Sequence, residues 1–195
     1  MNRQQTRFLS EKLFFTSQDV AELLKIKPES AQVLCSRYVS AGLFVRLKKN
    51  FYVLDEKWNQ YQASDFFGLA NYLQVPSYIS CATALSFHGI STQVQQNWFD
   101  SVSKKRSITY QVRGVVFCFF KVKTEYYFDF EKLQGIFMAG PEKAFIDACH
   151  LSIYSDYSLD VNACDLTRLN RDVLEKTVPI FPKQTQRLVT DLCGI

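Results

Sequence analysis

Five side chains between Pro28 and Gly42 are of types that read base pairs: Ser30, Gln32, Val33, Ser36 and Arg37. Gln can pair bidentately with adenine and Arg with guanine. Ser can bond either, and a Val methyl can touch the methyl of thymine. A little further on, Arg46, Lys48, Lys49 and Asn50 put three cations and a turn former in one short segment. Cations so placed contact phosphate and fix register without reading sequence. Together the two sets are the parts of a DNA-binding surface.

The elements that must carry these residues follow from the pattern around them. Thr16 or Ser17 can accept from a free N–H in the first turn of a helix. Val20, Leu23 and Leu24 then form one apolar stripe at helical spacing. Lys25-Ile26-Lys27-Pro28 breaks that stripe, and Pro28 suits the first turn of a second helix. This helix turns Ala31, Leu34, Cys35 and Tyr38 inward, which leaves the base-reading residues outside. Gly42 closes it. Leu43 to Leu54 predicts two short strands around Lys48-Lys49-Asn50, since Asn tolerates the left-handed backbone of a hairpin tip. Upstream, Gln5 to Phe14 predicts a further helix with Phe8, Leu9 and Leu13 inward. Two helices, a tight turn and a basic hairpin are the parts of a winged helix-turn-helix. The competing reading is a helix pair that only packs.

Charge favours the first reading. Residues 1–54 hold nine Lys and Arg against four acids, an excess of five, while the whole chain carries a net charge of +4. The basic excess therefore sits on the candidate reader, and the remainder is slightly acidic. A length of 195 residues exceeds what one winged helix needs and suits two domains, 1–57 and 58–195, joined near Asp55-Glu56-Lys57. Ordinary hydrophobic and charged fractions exclude a disordered chain. No apolar run could cross a membrane and no signal segment follows Met1, so a cytoplasmic location is expected. Six cysteines form no C-x-x-C pair, and His88 and His150 lie far apart, so reduced, packed thiols are expected and no metal site.

Beyond the join, Ala63 to Leu73 predicts a helix with Phe66, Phe67, Ala70 and Leu73 inward, broken by Pro76. Tyr78-Ile79-Ser80 reads as extended, and Ala82 to Phe87 as a helix ended by Gly89. Trp98 to Val102, Ser107 to Val112 and Val115 to Val122 read as strands, with turns at Lys104-Lys105 and Arg113-Gly114. Gly135 to Ala139 adds another. Helices follow from Pro141, with Phe145, Ile146 and Cys149 on one stripe, and over Leu166–Leu174 and Gln184–Leu192. The expected fold class is α/β (α+β): an N-terminal winged helix-turn-helix followed by a mixed α/β domain.

Three segments carry a resemblance. They are Leu34, Arg37, Tyr38, Gly42, Leu43, Arg46 and Leu47; Pro76-Ser77-Tyr78-Ile79-Ser80 with Ala84-Leu85-Ser86-Phe87-His88-Gly89; and Ala139-Gly140-Pro141-Glu142-Lys143-Ala144 with Asp147. In that order the chain resembles the antitoxin family of abortive-infection type IV toxin–antitoxin systems (AbiEi-like). It departs at the hairpin tip, where Asn50 and Phe51 stand in place of a glycine and a small residue. The resemblance implies a repressor of its own operon that binds an inverted repeat in promoter DNA. It also implies a C-terminal domain that counters a nucleotidyltransferase-like toxin without a stable complex. The partner expectation is a chain that is monomeric when free, with pairing on DNA left open.

Other residues have types suited to different chemistry. Ser80, Ser86 and His88 have the types for nucleophilic catalysis but no acid set by sequence to orient the histidine. Asp55-Glu56-Lys57 has the acid-x-Lys spacing of a nuclease site without a strand-borne Asp before it. No phosphate-binding or dinucleotide glycine motif is present. No enzyme activity and no cofactor are therefore expected. Pro141-Glu142-Lys143-Ala144 reads first as a helix start. Lys104, Lys105 and Arg106 read equally as a solvated turn or as an extra phosphate contact. A repressor that senses a small molecule in its aromatic C-terminal domain is the alternative to an antitoxin.

Overall fold

A computed structural model describes residues 3–93 and 96–195, and they form two compact units. The first spans Met1–Leu69 together with Tyr110–Gly114; the second holds the rest.

In the first unit α1 (Arg3–Ser10), α2 (Ser17–Leu24) and α3 (Pro28–Ser40) precede an antiparallel hairpin, β1 (Phe44–Lys48) and β2 (Phe51–Leu54). The helix α1 is shorter than the expected Gln5–Phe14, and Phe8 lies exposed with only Leu9 buried. The cause is a tertiary contact: Phe15 is drawn into a β-bridge with Tyr52, each N–H reaching the other's carbonyl at 2.8 Å. Thr16 then caps α2 in a capping box with Asp19. Lys25, left-handed at φ 54°, ends α2, and Pro28 opens α3 without wasting a donor. At the far end Gly42 N bonds Val39 O at 3.0 Å and Leu43 N bonds Tyr38 O at 2.9 Å, a Schellman closure that needs the φ of +71° at Gly42.

Leu9, Phe15, Val20, Ala21, Ala31, Cys35, Phe44, Tyr52 and Leu54 make the core of this unit. Phe44 meets Phe15 and Tyr38 edge-on, with ring centroids 4.8 and 5.0 Å away. The unit runs past the expected join at Lys57. Two short elements follow, α4 (Asp55–Trp58) and α5 (Ala63–Leu73), and the boundary falls inside the second. Side chains that look polar in sequence are what bind this extension: Lys57 Nζ donates to the carbonyls of Ser10 and Lys12, and Tyr61 Oη to that of Leu13.

A six-stranded mixed sheet follows, most of it in the second unit. Its strands are β3 (Ser77–Ile79), β4 (Trp98–Ser103), β5 (Ile108–Val112), β6 (Val115–Lys121), β7 (Phe130–Leu133) and β8 (Ile136–Ala139), in the order β5-β6-β4-β3-β8-β7. β4 runs parallel to β6, so Lys104-Lys105 is not a hairpin turn but starts a crossing from β4 past β6 to the edge strand. The strand β7 was not expected, because Glu131 and Lys132 interrupt its apolar pattern. The tight turn at Gln134-Gly135 (φ 50° and 90°) folds it back on β8 regardless. The helices are α6 (Cys81–Phe87), α7 (Pro141–Tyr154), α8 (Arg171–Thr177) and α9 (Lys183–Cys193). The single helix expected over Leu166–Leu174 is split. A 3₁₀ turn at Leu166–Arg168 ends before Asn170, whose side chain caps α8. Among the described residues no helix is long and apolar enough to cross a membrane.

Candidate nucleic-acid interface

Ser30, Gln32, Val33, Ser36 and Arg37 all lie exposed on α3, while Ala31 and Cys35 on its other side are fully buried. Gln32, Val33, Ser36, Arg37, Ser40 and Ala41 line one open, shallow depression. Ser36 Oγ donates to Gln32 O at 3.0 Å and Ser40 Oγ to Ser36 O at 3.1 Å. The helix therefore presents an amide, a guanidinium, two hydroxyl oxygens and an apolar side chain on one face.

The hairpin places its cations less uniformly than the sequence suggested. Arg46 and Lys49 are exposed. Lys48 is half-buried, with its ammonium 3.9 Å from the centroid of Phe51, which itself stacks on Phe14 at 4.7 Å. Asn50 adopts the expected left-handed backbone, φ 66°. Its side-chain oxygen accepts from Ser17 N at 3.0 Å and from Ser17 Oγ, which fixes the hairpin tip to the start of α2 and leaves only the amide nitrogen to face a phosphate. This link joins residues far apart in sequence and has no local signal. Asp19 stiffens the same corner. Burial alone would raise its carboxyl, but hydrogen bonds from Lys12 and Thr16 outweigh it and hold it below the usual value.

Lys104, Lys105 and Arg106 are exposed in the second unit. The Lys104 ammonium lies 5.2 Å from the Tyr127 ring centroid, and Arg106 O accepts from Gln74 Nε2 at 2.7 Å.

The second and third motifs meet inside the second unit. Asp147 Oδ2 accepts from Tyr78 Oη at 2.9 Å and from Ser80 Oγ at 2.8 Å. Lys143 Nζ bonds Asp147 Oδ1 and donates to Tyr78 Oη at 2.9 Å. The same ammonium lies over the rings of Tyr78, Phe128 and Phe181. All four polar residues are sealed from solvent. Spacing put Lys143 and Asp147 one turn apart on α7, and the sheet supplies Tyr78 and Ser80. Pro141-Glu142-Lys143-Ala144 is the helix start its sequence predicts, and the junction it forms with the sheet has no counterpart in that reading. The available signal was Lys143 and Asp147 at i, i+4 among the apolar residues Ala144, Phe145, Ile146, Ala148 and Cys149.

The residues of catalytic type are placed otherwise. Ser80 ends on Asp147, and His88 Nε2 sits 2.8 Å from the carbonyl of Ala139. Asp55 pairs with Arg113, and Lys57 bonds backbone carbonyls. Burial pushes the Cys35 thiol up to about 11, away from a reactive thiolate. Among the described residues no three His, Cys, Asp or Glu side chains gather where they could hold a metal ion. No protein-family profile matches this chain, and no curated protein sequence matches it.

Proposed function

We propose that the first unit is a winged helix-turn-helix that binds double-stranded operator DNA, with α3 in the major groove and the hairpin against the backbone. The carrying observation is the polarity of α3: the five residues of base-reading type are all exposed, while Ala31 and Cys35 between them are fully buried and Leu34 partly so. Any surface helix buries an apolar stripe; what points to DNA is that the exposed face gathers an amide, a guanidinium, hydroxyls and an exposed Val33 in a unit that carries the basic excess. Arg46, Lys48 and Lys49 supply phosphate contacts.

We infer further that the chain is the antitoxin of a type IV toxin–antitoxin system in the cytoplasm. In that role it represses its own operon and offsets a nucleotidyltransferase-like toxin, and it has no enzymatic activity of its own. This part rests on the resemblance of the three motifs. It draws support from the way two of them supply one shared polar junction.

A gel-shift titration against the DNA upstream of the gene, with a salt series and a scrambled competitor, tests the reading. Two-step, salt-sensitive binding that outlasts the competitor is expected, followed by rescue of growth when the neighbouring toxin gene is co-expressed. Equal binding to scrambled DNA would remove the operator. Binding that depends on an added metabolite would favour a ligand-sensing repressor instead.

A further inference from the structure

Ser36 and Ser40 stand one turn apart on the exposed face of α3, and the protons of both hydroxyls are already committed. Each donates to the carbonyl one turn back, Ser36 to Gln32 at 3.0 Å and Ser40 to Ser36 at 3.1 Å. A hydroxyl has one proton and two lone pairs. Towards a partner, then, both serines offer lone pairs alone, unless a helix bond is given up. Phosphate oxygens also only accept, so the backbone is a poor match for this part of the helix. In the major groove two groups bring hydrogens, the exocyclic amines of adenine N6 and cytosine N4.

The neighbours in the depression decide between them. Val33 is 53% exposed, an apolar surface one turn from Ser36 and Arg37. The apolar group that base pairs present in this groove is the thymine methyl. Arg37 is the complement of the serines, with five donors and no acceptor, and suits guanine O6 and N7.

We propose that this depression reads an A·T pair beside a G·C pair. Ser36 accepts from adenine N6, Val33 packs on the methyl of the paired thymine, and Arg37 donates to the adjacent guanine. Ser40 offers a second acceptor to an amine one step further along. The inference rests on the DNA-binding reading of α3 and adds which base pair it selects.

The test is selection from a random duplex library with the full chain and with Ser36→Ala, Val33→Ala and Arg37→Ala. Alanine keeps the helix in each case. The wild type is expected to enrich a motif with adjacent A·T and G·C pairs. Ser36→Ala is expected to lose the preference for adenine and keep guanine, and Arg37→Ala the reverse. In the selected duplex, replacing that adenine by purine, which lacks the amine, is expected to weaken wild-type binding about tenfold and leave Ser36→Ala unchanged. Replacing the thymine by uracil does the same for wild type against Val33→Ala. The inference is overturned if Ser36→Ala and wild type enrich the same motif, or if a guanine-dependent motif lacks the A·T pair; the DNA-binding reading then stands alone. If the wild type enriches no motif, both fall.

Discussion

Asn50 holds two constraints at one position, a left-handed backbone of φ 66° and a side-chain oxygen shared by the N–H and hydroxyl of Ser17. Asn50→Gly keeps the backbone and loses both bonds, whereas Asn50→Ala loses both and adds left-handed strain of about 1–2 kcal/mol. Urea unfolding is expected to rank wild type above Gly and Gly above Ala. Equal Gly and Ala variants would show that the tip relaxes. The turn itself was legible, since Asn is one of the few residues that tolerates this conformation; its bond to Ser17 was not, because nothing local encodes a partner across the unit. Arg37 is the reverse case, a residue whose type and exposure could both be anticipated. Arg37→Ala is expected to cost roughly 1–3 kcal/mol on operator DNA and to relax one base position. Fluorescence anisotropy on operator and scrambled duplexes checks this, and equal losses on both would make Arg37 a phosphate contact.

Among the elements, helix ends were read well wherever a cap fixed them, as at Thr16, Pro28 and Gly42, and poorly where a tertiary contact overrode the pattern. The end of α1 yields to the bridge from Phe15 to Tyr52, and β7 exists because its turn returns it to β8. In α7 the apolar stripe was legible as Phe145, Ile146 and Cys149, yet the helix is buried from Lys143 to Leu151. Its ion pair must therefore be matched from outside. Lys143→Met leaves Asp147 buried without a cation and is expected to cost about 3–5 kcal/mol. Adding Asp147→Asn removes that stranded charge while keeping an acceptor for Tyr78 and Ser80, so the double variant is expected to be more stable than the single. Chemical denaturation of both reads this out; a less stable double would show that the pair acts through shape and not charge. For the hairpin, Lys48→Ala with Lys49→Ala is expected to weaken binding to every duplex and lower the salt slope by about 2. An unchanged slope would remove both lysines from the phosphate contacts.

At the scale of the whole molecule, two units and the placement of the basic excess in the first could be read from charge and length, because they are sums over residues. The order β5-β6-β4-β3-β8-β7 could not, because it depends on pairing between strands distant in sequence. One consequence of that order is the sealing of Asp100 in β4, fully buried between Trp98 Nε1 at 2.8 Å and the Tyr157 hydroxyl at 3.5 Å. Burial raises its carboxyl from 3.8 to about 6, against the lowering effect of those two bonds. The native state thus holds this proton more tightly than the unfolded chain does. The stability it contributes is fully present below 3.8 and is lost as pH rises through about 6. His150 works in the opposite sense. Burial lowers its pKa, so its contribution is present above the ordinary 6.5 and lost as pH falls through a lower value. The two overlap in mildly acid solution, and a total profile would hide both. Asp100→Asn isolates the first, since the amide keeps an acceptor for Trp98 and cannot titrate. Measured by urea unfolding, the stability of Asp100→Asn relative to wild type is expected to be greater at pH 7.5 than at pH 5 by about 1 kcal/mol. The same difference at both pH values would mean that Asp100 keeps an ordinary carboxyl despite its burial, and that the sheet admits water to it.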